Sequence, residues 1–284
     1  MRSPRVAPST PEAVRPLTPL EFEKISRLAY ERFGLDLKRG KEELVSARLG
    51  KKLRQEGLRS FQEYYQSVLE DKTGEALVGL IDALTTNHTS FLREPPHFEF
   101  LREQALPEWR RRDTLRIWSA ACSTGEEPYT IAFTLLEGIG NAYRPQLRIL
   151  ATDISTRVIA EAERAIYAAE RIATLPAPWQ RAYFLRGERR WQGYYCVKPE
   201  VRRLVEFRRL NLVEPVVQAE TFAAIFCRNV MIYFDRPTQQ AVVNRLAAHL
   251  ELGGYLLIGH SESLTGIEHP LAYVRPTVYR RVIP

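Results

Sequence analysis

Two adjacent acids close a turn of small residues. Ser119-Ala120-Ala121-Cys122-Ser123-Thr124-Gly125-Glu126-Glu127-Pro128 leads from an apolar run, Leu115 to Ala121, into a segment that reads as a helix from about Pro128. Small residues and a glycine at a strand-to-helix turn let a ligand approach the backbone. A helix N-terminus ordinarily attracts anions, but two carboxylates there repel a phosphate. They suit a cation. S-adenosylmethionine, a nucleoside with a sulfonium and a free α-amino group, matches that preference better than NAD or ATP. The same acids also favour the helix dipole with no ligand present, so the turn by itself leaves both possibilities open.

A second acid, Asp153, ends the next apolar run, Leu147 to Thr152. A carboxylate at that place can accept hydrogen bonds from ribose hydroxyls; alternatively it caps the following helix. Two more stretches concentrate polar groups. Thr85-Thr86-Asn87-His88-Thr89-Ser90-Phe91-Leu92-Arg93-Glu94 offers hydroxyls, an amide and a guanidinium, or else is a polar hinge. Phe226 to Asp235 reads as a buried strand that ends in Arg228, Asn229 and Tyr233. Ligands of open α/β sheets bind outside the carboxyl ends of strands, which is where this strand end would lie.

The elements that must hold these groups follow from pattern. Strand-like runs at Leu115 to Ala121, Leu147 to Thr152, Leu204 to Phe207, Ala223 to Phe226, Tyr255 to Gly259 and Tyr279 to Ile283 are separated by helical segments near Pro128, Ser155 to Tyr167 and Gln239 to Leu250. Such alternation predicts a parallel, doubly wound α/β sheet. Tyr183 to Val201 breaks the alternation with short strand-like pieces around glycines and reads as a small antiparallel β insertion. Upstream of Pro95-Pro96 the texture is helical only. Thr18-Pro19-Leu20-Glu21 is a capping box with proline at the first helical position, Glu42 to Leu53 is a second helix, Ser60 to Glu63 repeats the box, and Leu77 to Leu84 marks a fourth helix. Residues 17–86 are therefore expected to form a small all-helical domain and residues 87–284 the larger one, with the β subdomain at about 183–201. Residues 1–16, rich in Arg, Pro, Ser and Thr, are expected to be a disordered tail.

Composition bounds the rest. The chain is 45% hydrophobic and 26% charged, enough apolar material for a sizeable core. Its net charge of +7 favours an acidic partner without saying which. The three cysteines, Cys122, Cys196 and Cys227, make no disulfide framework, and with His88 and His97 they lack zinc-ligand spacing, so no metal is expected. No apolar stretch is long enough to span a bilayer and no secretory signal is apparent, so a cytoplasmic location without membrane insertion is expected.

Taken in order, Thr-Thr-Asn-x-Thr-x-Phe-x-Arg-Glu at Thr85 to Glu94, Ser-Thr-Gly-Glu-Glu-Pro-Tyr at Ser123 to Tyr129, Arg-Asn-Val-Met-Ile-Tyr-Phe-Asp at Arg228 to Asp235, and Gly259-His260-Ser261-Glu262-Ser263 closely resemble the CheR family, the chemotaxis receptor glutamate O-methyltransferases. The resemblance covers residues 17–284. It implies a Rossmann-like class I methyltransferase sheet with a small N-terminal all-helical domain and a small antiparallel β subdomain. S-adenosyl-L-methionine is the implied cofactor and S-adenosyl-L-homocysteine its product. Asn87, Thr89 and Arg93 would lie over the cofactor, Glu127 would hold its amino group with Glu126 as a rival, Asp153 would bind the ribose, Asn211 and Leu212 would meet the adenine, and Arg228 and Asn229 would complete the pocket. Arg93 and Tyr233 are the implied catalytic residues, handling the substrate carboxylate. Leu92 departs from the family, which commonly has a second phenylalanine there.

The implied activity is methyl transfer to glutamate γ-carboxylates, and the implied partners are the cytoplasmic helices of methyl-accepting chemoreceptors. Arg48, Lys51, Lys52 and Arg54 could face those acidic helices. In relatives the β subdomain can dock a receptor C-terminal peptide by adding a strand. Nucleic acid is not an expected partner: there is no aromatic-rich basic module and no Asn-Pro-Pro-Tyr-like strand end. A binding module that kept the fold and lost the chemistry is disfavoured by the intact Arg93, Tyr233 and Asp153.

Overall fold

The computed structural model describes residues 14–139, 146–215 and 220–283. Most of the expected tail, residues 1–13, lies outside the described residues. The chain divides into two compact units, Met1–Thr86 and Asn87–Pro284.

Among the described residues the first unit has four helices: α1 (Pro19–Phe33), α2 (Glu42–Glu56), α3 (Phe61–Glu70) and α4 (Glu75–Leu84). The capping box at Thr18 forms as the sequence predicts: the Thr18 hydroxyl accepts from the Glu21 amide at 3.3 Å while the Glu21 carboxylate accepts from the Thr18 amide at 2.9 Å. At Ser60 only half of the box forms. Ser60 accepts from the Glu63 amide at 3.2 Å, but the Glu63 carboxylate reaches one residue further, to the Arg59 amide at 2.8 Å. Ile25, Ala29, Val45, Leu49, Leu53, Phe61, Val78 and Ile81 fill the core between the helices. The cationic face of α2 is partly used within this unit: Arg48 donates to the Leu84 carbonyl at the end of α4 and to the Thr86 hydroxyl, and Lys52 pairs with Glu56 at 2.8 Å.

The second unit opens with α5 (Pro96–Phe100), a π turn over Leu101–Ala105 and α6 (Leu106–Glu108). Its central elements are β1 (Thr114–Ser119), α7 (Glu126–Ile139), β2 (Gln146–Asp153) and α8 (Thr156–Arg164). A smaller group follows: β3 (Ile166–Ala168), α9 (Ala169–Ile172), α10 (Ala177–Tyr183), β4 (Phe184–Arg186), β5 (Tyr194–Val197) and α11 (Pro199–Arg202). The chain then returns as β6 (Val205–Arg209), β7 (Phe222–Cys227), a 3-10 turn over Met231–Tyr233, α12 (Arg236–Ala248), β8 (Leu250–Ile258), β9 (Leu271–Arg275) and β10 (Val278–Arg281).

Seven strands make one sheet in the order β6-β2-β1-β7-β8-β10-β9. The first five run parallel and β10 runs antiparallel to both neighbours. The order reverses at β1, so the loops after β1 and β7 leave the sheet at a topological switch point. One apolar layer packs Leu115, Ile117, Ile149 and Phe226 beneath Tyr129, Phe133 and Leu101; the other packs Trp118, Leu150, Phe222 and Ile225 against Val242, Val243 and Leu246 of α12. Among the described residues no helix is long and apolar enough to cross a membrane.

The expected β insertion is a three-stranded antiparallel sheet in the order β3-β5-β4. It takes its first strand from further upstream than Tyr183. The predicted helix Ser155 to Tyr167 stops at Arg164, because Ala165 adopts a left-handed conformation with φ 56°, and Ile166–Ala168 turn outward to pair with β5. β9 is a further strand that sequence pattern did not show; its residues alternate weakly and its edge is half exposed.

Candidate active site

The expected site residues gather at the carboxyl ends of β6, β2, β1 and β7. After β1 the chain turns through Ser123 (φ 49°) and Gly125 (φ 95°), two left-handed positions. A Cβ on Gly125 would lie 2.8 Å from the Ala162 Cβ and 2.8 Å from the Tyr167 hydroxyl. The glycine therefore makes room for α8 and the small sheet, whereas its sequence suggests room for a ligand. Tyr167 completes the turn by donating to the Thr124 carbonyl at 2.8 Å.

Asp153 is fixed by backbone amides, accepting from Ser123 at 2.9 Å and from Ser155 at 3.0 Å. The cap of α8 is Ser155, whose hydroxyl accepts from the Val158 amide at 3.3 Å, which answers the alternative role considered for Asp153. The Ser123 hydroxyl donates to the Asn87 carbonyl at 2.9 Å, so Asn87, the β1 turn and Asp153 form one chain of contacts. Asn211 follows the neighbouring strand and is brought close by the Leu210 amide, which donates to the Asp153 carbonyl at 2.9 Å. Its side chain caps its own turn, donating to Glu214 at 2.9 Å. The Leu212 side chain is packed in the apolar layer under α12, so it would present only backbone to a ligand.

Glu126 and Glu127 point to different partners. Glu126 is fully buried and receives the Thr124 hydroxyl at 2.8 Å and the guanidinium of Arg171 from α9. Glu127 receives the Ser119 hydroxyl at 2.7 Å and Arg228 at 2.9 Å. Burial pushes the Glu127 carboxyl above its ordinary range, although Arg228 and Ser119 pull it down.

Arg228 is the hub. Nη1 donates to Glu127; Nη2 donates to Glu94 at 2.9 Å and to the Arg93 carbonyl; Nε reaches Glu94 at 3.3 Å. The guanidinium lies 5.6 Å from the Phe98 ring centroid. These bonds turn its side chain inward, so it shapes the pocket through Glu127, Glu94 and the Arg93 backbone. Burial alone would raise Glu94, but Arg228 and the His260 amide hold its carboxyl below the ordinary range. Asn229 sits at φ 59° and donates its side chain to Glu94 at 3.4 Å. The strand anticipated through Tyr233 thus ends at Cys227. Beyond it the backbone is gathered by Glu262, whose carboxylate accepts from the amides of Asn229 (3.0 Å), Met231 (2.8 Å) and Gly259 (2.6 Å). Tyr233, half-buried, lies at the end of that turn.

The loop before α5 is pinned by Phe91, whose ring meets Tyr167 at 4.9 Å and Phe184 at 5.7 Å. Leu92 packs against the same apolar layer, so its departure from phenylalanine changes shape and leaves the polar groups in place. Arg93 is half-buried and spends one N–H on the His88 carbonyl at 2.7 Å. Asn87 and Thr89 line a groove of about 310 Å³ together with Arg171 and Thr174. Arg171, Glu94 and Glu262 are the residues that sequence pattern did not assign. Their signal is the partner each one meets, which lies far away in the chain.

His97, set aside as a zinc ligand on spacing, stands with Glu94 and His260, their ligand atoms within 4.8 Å of one another. Glu94 is already committed to Arg228, and burial beside that guanidinium holds His97 neutral, its pKa pushed down to about 3. A second cation there would meet Arg228 across one shared carboxylate. Cys122 and Cys227 are buried free thiols whose pKa burial raises well above the ordinary value, which keeps them protonated.

Around this end of the sheet Glu94, Glu126, Glu127, Asp153 and Glu262 face Arg93, Arg171 and Arg228, five carboxylates to three guanidiniums. The excess of acid suits a cationic ligand and disfavours a phosphate.

Comparison with known proteins agrees. Residues 87–280 match the CheR methyltransferase, SAM binding domain, and residues 20–85 match the CheR methyltransferase, all-alpha domain. Chemotaxis protein methyltransferase 2 of Pseudomonas aeruginosa is 43% identical over 260 residues, covering 91% of this chain and 92% of that protein. The chemotaxis protein methyltransferase of Borreliella burgdorferi is 39% identical (93% and 95% covered), and that of Escherichia coli is 39% identical (93% and 91% covered). With both domain models matched in order over nearly all of its length, this chain belongs to the CheR family of S-adenosylmethionine-dependent methyltransferases.

Proposed function

We propose that the chain methylates glutamate γ-carboxylates on the cytoplasmic helices of chemoreceptors, forming glutamyl methyl esters, and that it acts in the cytoplasm. The observation that carries this reading is the acid-rich pocket at the switch point of a sheet whose family binds S-adenosylmethionine. The residues present fit that cofactor. Asp153, held by the amides of Ser123 and Ser155 at the end of β2, places a carboxylate where ribose hydroxyls would donate. Glu127, with Glu126 close by, offers the negative field for an α-amino group. Asn211 and the Leu212 backbone would meet the adenine, while Asn87, Thr89, Arg93, Arg228 and Asn229 would close the pocket directly or through their neighbours. Bound there, the cofactor supplies an electrophilic methyl carbon.

A glutamate side chain titrates near about 4.3 and is already ionised at neutral pH. No general base is required, and the work of the site is alignment, worth up to about 7–11 kcal/mol in well-oriented systems. Arg93 has N–H groups beyond the one given to His88 and would hold one carboxylate oxygen by a charge-assisted bond. Tyr233 would share that carboxylate through a neutral hydroxyl, leaving the other oxygen nucleophilic. On α2, Lys51 and Arg54 are exposed and complement acidic receptor helices. A receptor C-terminal peptide would extend the small sheet at β3 or β4, its two edge strands.

The test is incubation with labelled S-adenosylmethionine and purified receptor cytoplasmic domains. Label released as volatile methanol in base identifies a carboxyl ester; base-stable label would refute the assignment. Arg93→Ala should slow turnover about 10- to 100-fold, the worth of one charged hydrogen bond, while S-adenosylhomocysteine binding by calorimetry changes far less.

A further inference from the structure

The opposite, amino-terminal end of the same strands carries a second concentration of charge. β1 and β2 are paired so that Arg116 stands directly opposite Arg148. Neighbouring strands lie about 4.8 Å apart, and both side chains fall on the face that further along carries Trp118 and Leu150, since successive residues alternate faces. Like charges held that close repel. Neither guanidinium makes an ion pair among the described residues, and the Nε of Arg116 is buried with no hydrogen-bond partner. A buried, unsatisfied guanidinium nitrogen costs free energy, so this arginine is under-satisfied within the fold.

A groove of about 330 Å³ opens over this pair. Arg203 and Arg208 also line it; the acids there are Glu206, already bonded to Arg208 at 2.6 Å, and Glu220. Four arginines thus face two carboxylates. Leu150 and Phe222 supply an apolar floor. Arg148, Glu206 and Arg208 are exposed on a face that α12 covers elsewhere.

We propose that this groove binds a small phosphate-bearing anion. Guanidinium forks match phosphate oxygens two at a time, and the volume falls at the lower end of the roughly 300–1,000 Å³ typical of small-molecule sites. An anion between Arg116 and Arg148 relieves the repulsion and gives their terminal guanidinium N–H groups acceptors. Arg116 and Arg148 lie towards the amino ends of β1 and β2, away from the acid-rich pocket, and the proposal is independent of the reaction assigned there.

The test is calorimetry on the full chain saturated with S-adenosylhomocysteine, titrated with pyrophosphate and separately with ATP. One saturable site is expected for pyrophosphate, weakened at least tenfold by Arg116→Gln and by Arg148→Gln. S-adenosylhomocysteine affinity should be unchanged in both variants, which reports an intact fold; Arg148 is exposed, so its variant carries the test even if Arg116→Gln folds poorly. ATP binding tighter than pyrophosphate at the same arginines places the nucleoside on the apolar floor, and equal binding assigns the site to phosphate alone; either supports the proposal. No pyrophosphate binding, binding indifferent to both substitutions, or binding of a polyglutamate peptide in place of pyrophosphate overturns it.

Discussion

At the carboxyl ends of its central strands the sheet surrounds Arg228 with acceptors; at the amino ends it leaves Arg116 and Arg148 side by side, neither ion-paired among the described residues. Both ends concentrate charge, and the sign left over differs. Where acids outnumber arginines the chain has satisfied Arg228 internally and keeps a surplus of negative field. Where arginines outnumber acids the surplus is positive and one nitrogen is orphaned. The two ends of a parallel sheet can therefore present opposite fields to opposite ligands.

Breaking the satisfied end should have the largest effect. Arg228→Met strands Glu94 and Glu127 as unpaired buried carboxylates, and loss of one partner of a buried pair costs about 3–5 kcal/mol. Urea denaturation should show the midpoint falling accordingly; an unchanged midpoint would mean that the bridge carries no stability. Next comes Asp153→Asn, which keeps the shape but removes the charge. S-adenosylhomocysteine affinity should drop about 10- to 100-fold by calorimetry.

A smaller effect separates the ends by pH. His97 has an ordinary pKa of 6.5 and is pushed down to about 3 in the fold by burial and by Arg228. Between those values the unfolded chain binds the extra proton, so this contribution is complete above 6.5 and is lost as pH falls towards 3. Wild type minus His97→Asn should show a stability slope approaching about 1.4 kcal/mol per pH unit in that window. Arg116→Gln touches no group around His97 and should leave this slope alone. Smallest of all, Arg148→Gln without added anion should shift unfolding by no more than about 0.5 kcal/mol, in contrast to Arg228, because it has no partner to lose.

Much of this was legible in the sequence, and the reasons are local. Thr18 with Glu21, the apolar strand runs and the acid at Asp153 announce themselves within a few residues. The partner of Glu126 is Arg171 and that of Glu94 is Arg228, separated by 45 and 134 positions; no periodicity links such pairs. Gly125 was visible as a special position, yet what it accommodates is Ala162 and Tyr167. Ile166–Ala168 look helical in composition and become a strand because Ala165 turns the chain and β5 offers a pairing edge. In each case an encounter decided what propensity left open.

Phe91 sits among Phe133 of α7, Tyr167 of β3 and Phe184 of β4. The segment bearing Asn87, Thr89 and Arg93 is thereby bolted to the three-stranded sheet as well as to the large one. Tension or compression at that small sheet would pass through one aromatic ring to the lip of the proposed cofactor pocket, so trimming Phe184 would loosen the lip without removing any group proposed to contact the cofactor.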